Sequence, residues 1–256
     1  MRMDFHSHVK ISKKSMFMPD YFAEMLHEAE KNGLTAIAMT EHFNTKRFMD
    51  IYDYIDQHYS YGNGYYLVEG MRVFPGMEVD VKEVGHILLI GDRADIIAVR
   101  VALESHTNPV DFIRFKDLMD LAEGYNLLKI GAHPFRQGTP LTHLPVEQLR
   151  RLDAFDLNGK DLYAQGIEPY RERLGEFANK IGLPIVGGSD THQFLQYGAI
   201  YNQLNRNCET VSELKEVIQS GDYQVEVSRD LMLKVKSAAL VKKYMKKIVE
   251  EHTQLV

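Results

Sequence analysis

Leu34-Thr35-Ala36-Ile37-Ala38-Met39-Thr40-Glu41-His42 is an apolar run that ends on an acid and an imidazole. The run from Leu34 to Met39 has the length of a strand covered on both faces, and the polar pair falls just after it. Upstream, Pro19 suits the first position of a helix, Phe22, Met25, Leu26 and Ala29 recur at helical spacing, and Gly33 supplies a stop. Helix, strand and then polar side chains is the unit from which parallel α/β sheets are built. The first strand precedes this unit and carries His6 and His8 near its C-terminal end. Beyond the unit, Val73 to Val79 and Val84 to Ile90 read as a third and a fourth strand, with too few residues between them for a covering helix. Asn108, Pro109 and Asp111 predict a capped helix that buries Phe112, Phe115, Leu118 and Met119 and ends at Gly124. Strands follow at 127–132, 154–157 and 183–187, the last preceded by a helix bearing Leu174, Phe177, Ala178 and Ile181. This makes seven strands. Thr210 and Glu213 form a capping box for a late helix that Gly221 closes. The Gly- and Tyr-rich stretch 60–66 reads as a loop and a candidate cover for the site.

The chain has 256 residues, with 30 Lys plus Arg against 36 Asp plus Glu and a net charge of −6. That length suits one large α/β domain, assigned to residues 1–233. The basic segment 234–256 reads as a helix, with Leu240, Tyr244 and Ile248 at helical spacing, packed on the domain. The charge balance disfavours broad coating of nucleic acid, so nucleic acid is not the favoured partner. A single cysteine, Cys208, gives no disulfide framework. The N-terminal residues lack the apolar run of a secretory signal, and no stretch approaches the ~20 apolar residues of a membrane helix, so a cytoplasmic protein is expected. Whether the chain self-associates is not legible.

His6 and His8 are two residues apart, so strand geometry turns both imidazoles to one side. Glu41, His42, Glu78, His86, His133, Asp190 and His192 follow other apolar runs, where strand ends converge on a common pocket. Imidazole and carboxylate donors suit zinc, manganese or iron, and a carboxylate such as Glu78 can bridge two cations. Without cations, such crowding of ionisable groups would carry a large desolvation cost. Glu41 and Asp80 are candidates for carboxylates that orient neighbouring imidazoles.

Taken in order, Asp4-Phe5-His6-Ser7-His8, Thr40-Glu41-His42, Pro75-Gly76-Met77-Glu78, His86, Gly131-Ala132-His133-Pro134 and Ser189-Asp190-Thr191-His192 resemble the polymerase and histidinol phosphatase (PHP) family. The resemblance implies a distorted seven-stranded β/α barrel with two or three metals at the strand C-termini. It implies that His6, His8, Glu78 and Asp190 surround one metal, that Glu78 is shared with a second metal bound by His86 and His133, and that His42 and His192 serve a third. The family often has a further acid or histidine shortly after the first pair. Here that stretch is Val9-Lys10-Ile11-Ser12-Lys13-Lys14, which leaves the third position short of one protein ligand.

Two metals about 3.5–4 Å apart can generate hydroxide at neutral pH and neutralise a phosphoryl group. The expected function is therefore hydrolysis of a small phosphomonoester by metal-activated hydroxide. In this scheme Asp190 orients or deprotonates the nucleophile, His192 assists the leaving oxygen and Arg136 offers its donor fork to phosphate. Lys13, Lys14, Lys46, Arg47 and Lys160 are further candidates for positive charge at the mouth. Gly187-Gly188-Ser189-Asp190 lacks the lysine and spacing of a nucleotide phosphate loop, and the histidines are better used as ligands than in a serine triad. A phosphodiesterase or nuclease, or a metal-stabilised binding module without turnover, are the alternatives.

Overall fold

The computed structural model describes residues 1–253, with side chains through Ile248. β1 (Arg2–Ser7) leads through α1 (Pro19–Lys31) and β2 (Ala36–Met39) to α2 (Met49–His58). The hairpin of β3 (Ser60–Gly62) and β4 (Tyr65–Val68) precedes the long β5 (Met71–Val81), β6 (Gly85–Gly91) and α3 (Arg93–Ala102). Next come α4 (Phe115–Ala122), β7 (Leu127–Gly131), the single turn α5 (Val146–Leu149), β8 (Ala154–Asn158), α6 (Gly159–Gln165), α7 (Ile167–Ile181) and β9 (Ile185–Gly188). β10 (Ile200–Leu204), α8 (Val211–Ser220), β11 (Tyr223–Val227) and α9 (Leu231–Thr253) complete the described elements.

The order β1-β2-β5-β6-β7-β8-β9 curls into a barrel. β6 alone among these runs antiparallel to both neighbours, because the tight β5–β6 connection has no room for a crossover helix. The seven strands read from the sequence are these seven. Closure comes from the backbone just past β9: Asp190 N donates to His6 O at 2.7 Å and His8 N to Thr191 O at 2.9 Å. At the opposite end β10 pairs with β1, so the two barrel edges diverge. The buried Asn202 amide fills that split, donating to Met3 O and Gly187 O and accepting from Gly187 N. These backbone groups would otherwise be buried without partners.

Met3, Phe5, Ala36, Ala38, Phe74, Leu88, Ile130 and Val186 belong to one apolar cluster, which α8 joins through Val211, Leu214, Val217 and Ile218. A second cluster lies under the other helices, including Phe22, Met25 and Leu26 of α1. A bulge in β1 between Asp4 and Ser7 changes the register against β2. It allows Phe5 to stay in the apolar cluster while His6 and His8 reach the site, the re-aiming that bulges commonly produce.

Three expectations change. The helix read over 108–124 is split into a turn at Pro109–Asp111 and α4, because residues 112–114 bond to the β5–β6 connection instead. There Ile113 O accepts from Lys82 N at 2.8 Å and Glu83 accepts from Phe115 N at 2.8 Å, so tertiary pairing outweighs the local cap. The stretch 60–66 is the β3–β4 hairpin, which pairs with Met71–Val73 at the N-terminal end of β5, away from Glu78, and does not cover the site. The basic segment is helical and begins at Leu231, but Leu231, Val235 and Ala238 are its buried side chains, while Leu240, Tyr244 and Ile248 are exposed. Its last positions, 254–256, lie outside the described residues.

Candidate metal centre

His6, His8, His42, Glu78, His86, His133, Asp190 and His192 all converge at the C-terminal end of the barrel. Glu78 is central. Its Oε1 lies 3.5 Å from His6 Nε2, 2.8 Å from His86 Nδ1 and 3.3 Å from His133 Nε2. Its Oε2 lies 3.5 Å from His8 Nε2 and 2.7 Å from His42 Nδ1. Three groups bring their donor atoms within 4.8 Å of one another: His6, His8 and Asp190; Glu78, His86 and His133; His8, His42 and His192.

The donor set fits cations on direct structural grounds. Glu78 Oε2, His8 Nδ1, His42 Nδ1 and His192 Nδ1 are buried without hydrogen-bond partners, although buried polar atoms are nearly always satisfied. Glu78 Oε2 and His42 Nδ1 face each other at 2.7 Å without forming a hydrogen bond. Burial opposes charge on Glu78, but the imidazoles of His86, His42 and His6 hold its carboxyl well below the usual range. Burial lowers His42 to about 4 and His133 to about 3, whereas against burial Glu78 and Asp80 raise His86 to about 9, so a cation bound there would displace a proton. Burial, then the charges of His8 and Lys160, also hold His192 well below the imidazole range.

The surrounding side chains fix these donors. Asp156 Oδ2 lies 2.9 Å from His6 Nδ1, which leaves Nε2 facing Glu78. Thr139 holds His133 Nδ1 at 3.2 Å in the same way. Glu41 accepts from the backbone of Val9 and Lys10 through Oε2 and from His42 N through Oε1. Asp80 spans His86 Nε2 at 3.1 Å and Lys13 Nζ at 2.8 Å. Asp80 stands where an orienting role requires, whereas Glu41 bonds backbone amides and lies 3.6 Å from its nearest imidazole nitrogen, His8 Nδ1. Asp156 and Thr139 were missed, although an aspartate between Phe155 and Leu157 in an apolar strand was a usable signal. Lys13 reaches the centre's edge in the stretch that lacks the extra ligand.

Arg136 does not present a free fork. Its Nε and NH2 bond Asp161, NH2 also bonds Asn158 at 2.9 Å, and NH1 lies 2.8 Å from Asp190 Oδ2. Lys160 Nζ holds the other Asp190 oxygen at 2.7 Å. Burial opposes ionisation of Asp190, but Lys160, Arg136 and His6 keep it well below the usual carboxylate range. His133 and Asp190 have φ of 33° and 55°, in the left-handed region that non-glycine residues seldom occupy and that clusters at functional sites. Gly188 must lack a side chain, since a Cβ would lie 2.5 Å from both Asp156 Oδ1 and His6 Cβ.

If Asp156 orients His6, Asp156→Asn should weaken metal affinity by about 10–100-fold, the usual effect of losing such a partner. Competition against a chromogenic chelator measures it, and unchanged affinity would assign Asp156 to packing alone.

A barrel closed around His and carboxylate donors defines a metal-dependent hydrolase-type site. The PHP domain family model matches residues 4–230, and the chain belongs to that family of metal-dependent phosphoesterases. Among solved structures, it is similar to PsfC from Pseudomonas syringae PB-5123, with a TM-score of 0.80 and 19% identity over 95% of this chain and 98% of that one. It is also similar to the lesion-specific endonuclease PfuEndoQ from Pyrococcus furiosus, with a TM-score of 0.62 and 16% identity over 88% of this chain and 58% of that one. An amidohydrolase from Chromobacterium violaceum gives a TM-score of 0.53 and 13% identity over 87% and 97% of the two chains. At these identities the likeness concerns the fold. No curated protein matches by sequence.

Proposed function

We propose that the protein hydrolyses a small phosphomonoester with two or three bound cations of the zinc, manganese or iron type. The observation that carries this reading is Glu78, a buried carboxylate approached by five imidazoles with one oxygen left without a hydrogen bond. His6, His8 and Asp190 would hold one cation, Glu78, His86 and His133 a second, and His8, His42 and His192 a third. When bound, such cations supply a nucleophile from water at neutral pH and positive charge for the phosphoryl oxygens.

The chain's own residues set the geometry of the reaction. Asp190 is fixed by Lys160 and Arg136 from opposite sides, so an ionised carboxylate stands beside His8 Nε2 at 3.4 Å, ready to orient a nucleophile. Arg136 acts here as a positioning residue, because its donors are already committed to Asp161, Asn158 and Asp190. His192 is assigned to cation binding, since its donor atom groups with those of His8 and His42, and the one N–H of a neutral imidazole is too weak an acid to protonate a leaving oxygen. Lys160 is the ammonium placed to meet phosphate at the mouth. Among the described residues no helix is long and apolar enough to cross a membrane.

Matched alkyl and aryl phosphomonoesters and diesters, assayed with added metal, test the assignment. The expected result is a kcat/KM for monoesters at least tenfold above that for diesters. Preference for diesters would make the protein a phosphodiesterase, and no turnover with full metal content would favour a binding module.

A further inference from the structure

The centre does not account for the lysines of α9. This helix packs beside α6, and between it and the barrel end lies a cavity of about 440 Å³ whose wall includes Lys160, His192, Lys242 and Lys246 together with Val235 and Ala238. That size falls within the ~300–1,000 Å³ of small-molecule sites. The cavity adjoins the metal centre, because His192 belongs to a ligand group and Lys160 touches Asp190. Lys242 and Lys246 are four residues apart and therefore share one face of the helix. Among the described residues, neither has a carboxylate within ion-pair reach. Burial, then the neighbouring Lys160 ammonium, lowers Lys242 to about 7. Lys160 is already paired with Asp190, and Lys242 and Lys246 add further positive charge to the same wall, which an anion in the cavity would offset. The apolar part of the wall calls for carbon beside that anion.

We infer that this cavity receives the leaving group of the substrate, and that the leaving group bears a second anion, a phosphate or a carboxylate, paired with Lys242 and Lys246. Its carbon frame lies against Val235 and Ala238. The inference rests on the phosphomonoesterase reading and narrows it, since a leaving group with a positive charge, such as an amino alcohol, would be repelled. A nucleic acid also carries repeated phosphates, but the cavity wall is apolar at Val235 and Ala238, and the chain is acidic overall at −6.

The test compares propyl phosphate, 3-aminopropyl phosphate, 3-phosphooxypropanoate and 1,3-propanediol bisphosphate on the metal-loaded protein. At least one of the two esters with a second anionic group should exceed propyl phosphate by tenfold or more in kcat/KM, and the favoured one identifies the second anion. The double variant Lys242→Gln/Lys246→Gln should bring that ratio towards one at unchanged metal content, and the double arginine variant should retain it. A wild-type ratio near one, a preference for the aminopropyl ester, or a ratio unmoved in the glutamine variant would overturn the inference. Calorimetric binding of 1,3-propanediol bisphosphate separates this result from failure of the phosphatase reading. Binding weakened tenfold in the glutamine variant supports the anion site even without turnover, whereas equal binding overturns it. Tighter lysine-dependent binding of an oligothymidylate than of the bisphosphate would overturn the small-molecule assignment.

Discussion

Glu78→Gln is expected to remove at least one metal ion per chain and to lower phosphoesterase turnover on the order of a thousandfold. Glutamine keeps the shape of the side chain and removes the negative charge on which five imidazoles converge. With that charge gone, two cations at neighbouring positions would repel each other without a shared counter-ion, so the affinity of the second should fall most. The fold should survive, because β5 retains its pairing with β2 and β6 on either side of the substitution. Elemental analysis together with turnover at saturating metal measures both effects. A variant with full metal content and near wild-type turnover would remove Glu78 from the centre.

Asp190→Asn is expected to lower turnover on the order of a hundredfold to a thousandfold, with a smaller effect on the fold. Asparagine tolerates the left-handed backbone found at this position, where φ is 55°, so the substitution isolates charge from backbone strain. What it removes is the anion that Lys160 and Arg136 clamp at 2.7 and 2.8 Å and that stands beside His8 and His6. The loss should appear mainly in kcat, because the role assigned to Asp190 is to align the nucleophile. An increase in KM alone, with kcat preserved, would place Asp190 in substrate binding.

The barrel was legible because its strands are apolar runs, all but β8 carrying or followed by a candidate ligand, and the break in β/α repetition at β5–β6 shows in the short spacing. β3, β4, β10 and β11 were not legible. They are short or half-exposed strands such as Tyr223–Val227, whose pairing depends on neighbours far away in the chain. α3 escaped for a different reason, since it follows β6 with only Asp92 between them, a cap residue whose side chain makes no cap hydrogen bond, and no glycine stops it. The metal donors could be named because His8, His42, His133, Asp190 and His192 lie just past strands, and His6, Glu78 and His86 lie within strands. Their hydrogen-bond partners could not, since Asp156 and Thr139 are joined to His6 and His133 only by closure of the fold. Arg136 shows the limit of spacing most clearly. Three residues after His133 it was well placed for phosphate, but the sequence could not show that Asp161 and Asp190 flank it. The lysines of α9 were visible as a basic helix, while the face they turn to the cavity depends on how Leu231, Val235 and Ala238 dock.

The central claim is that catalysis requires a polynuclear centre. Protein stripped with a chelator and reloaded in steps with zinc, manganese or iron should be assayed on a phosphomonoester while its metal content is determined on the same samples. Turnover should stay near background up to one equivalent per chain and rise to its plateau at two or three. Full turnover in metal-free protein, or a plateau already reached at one equivalent, would contradict it.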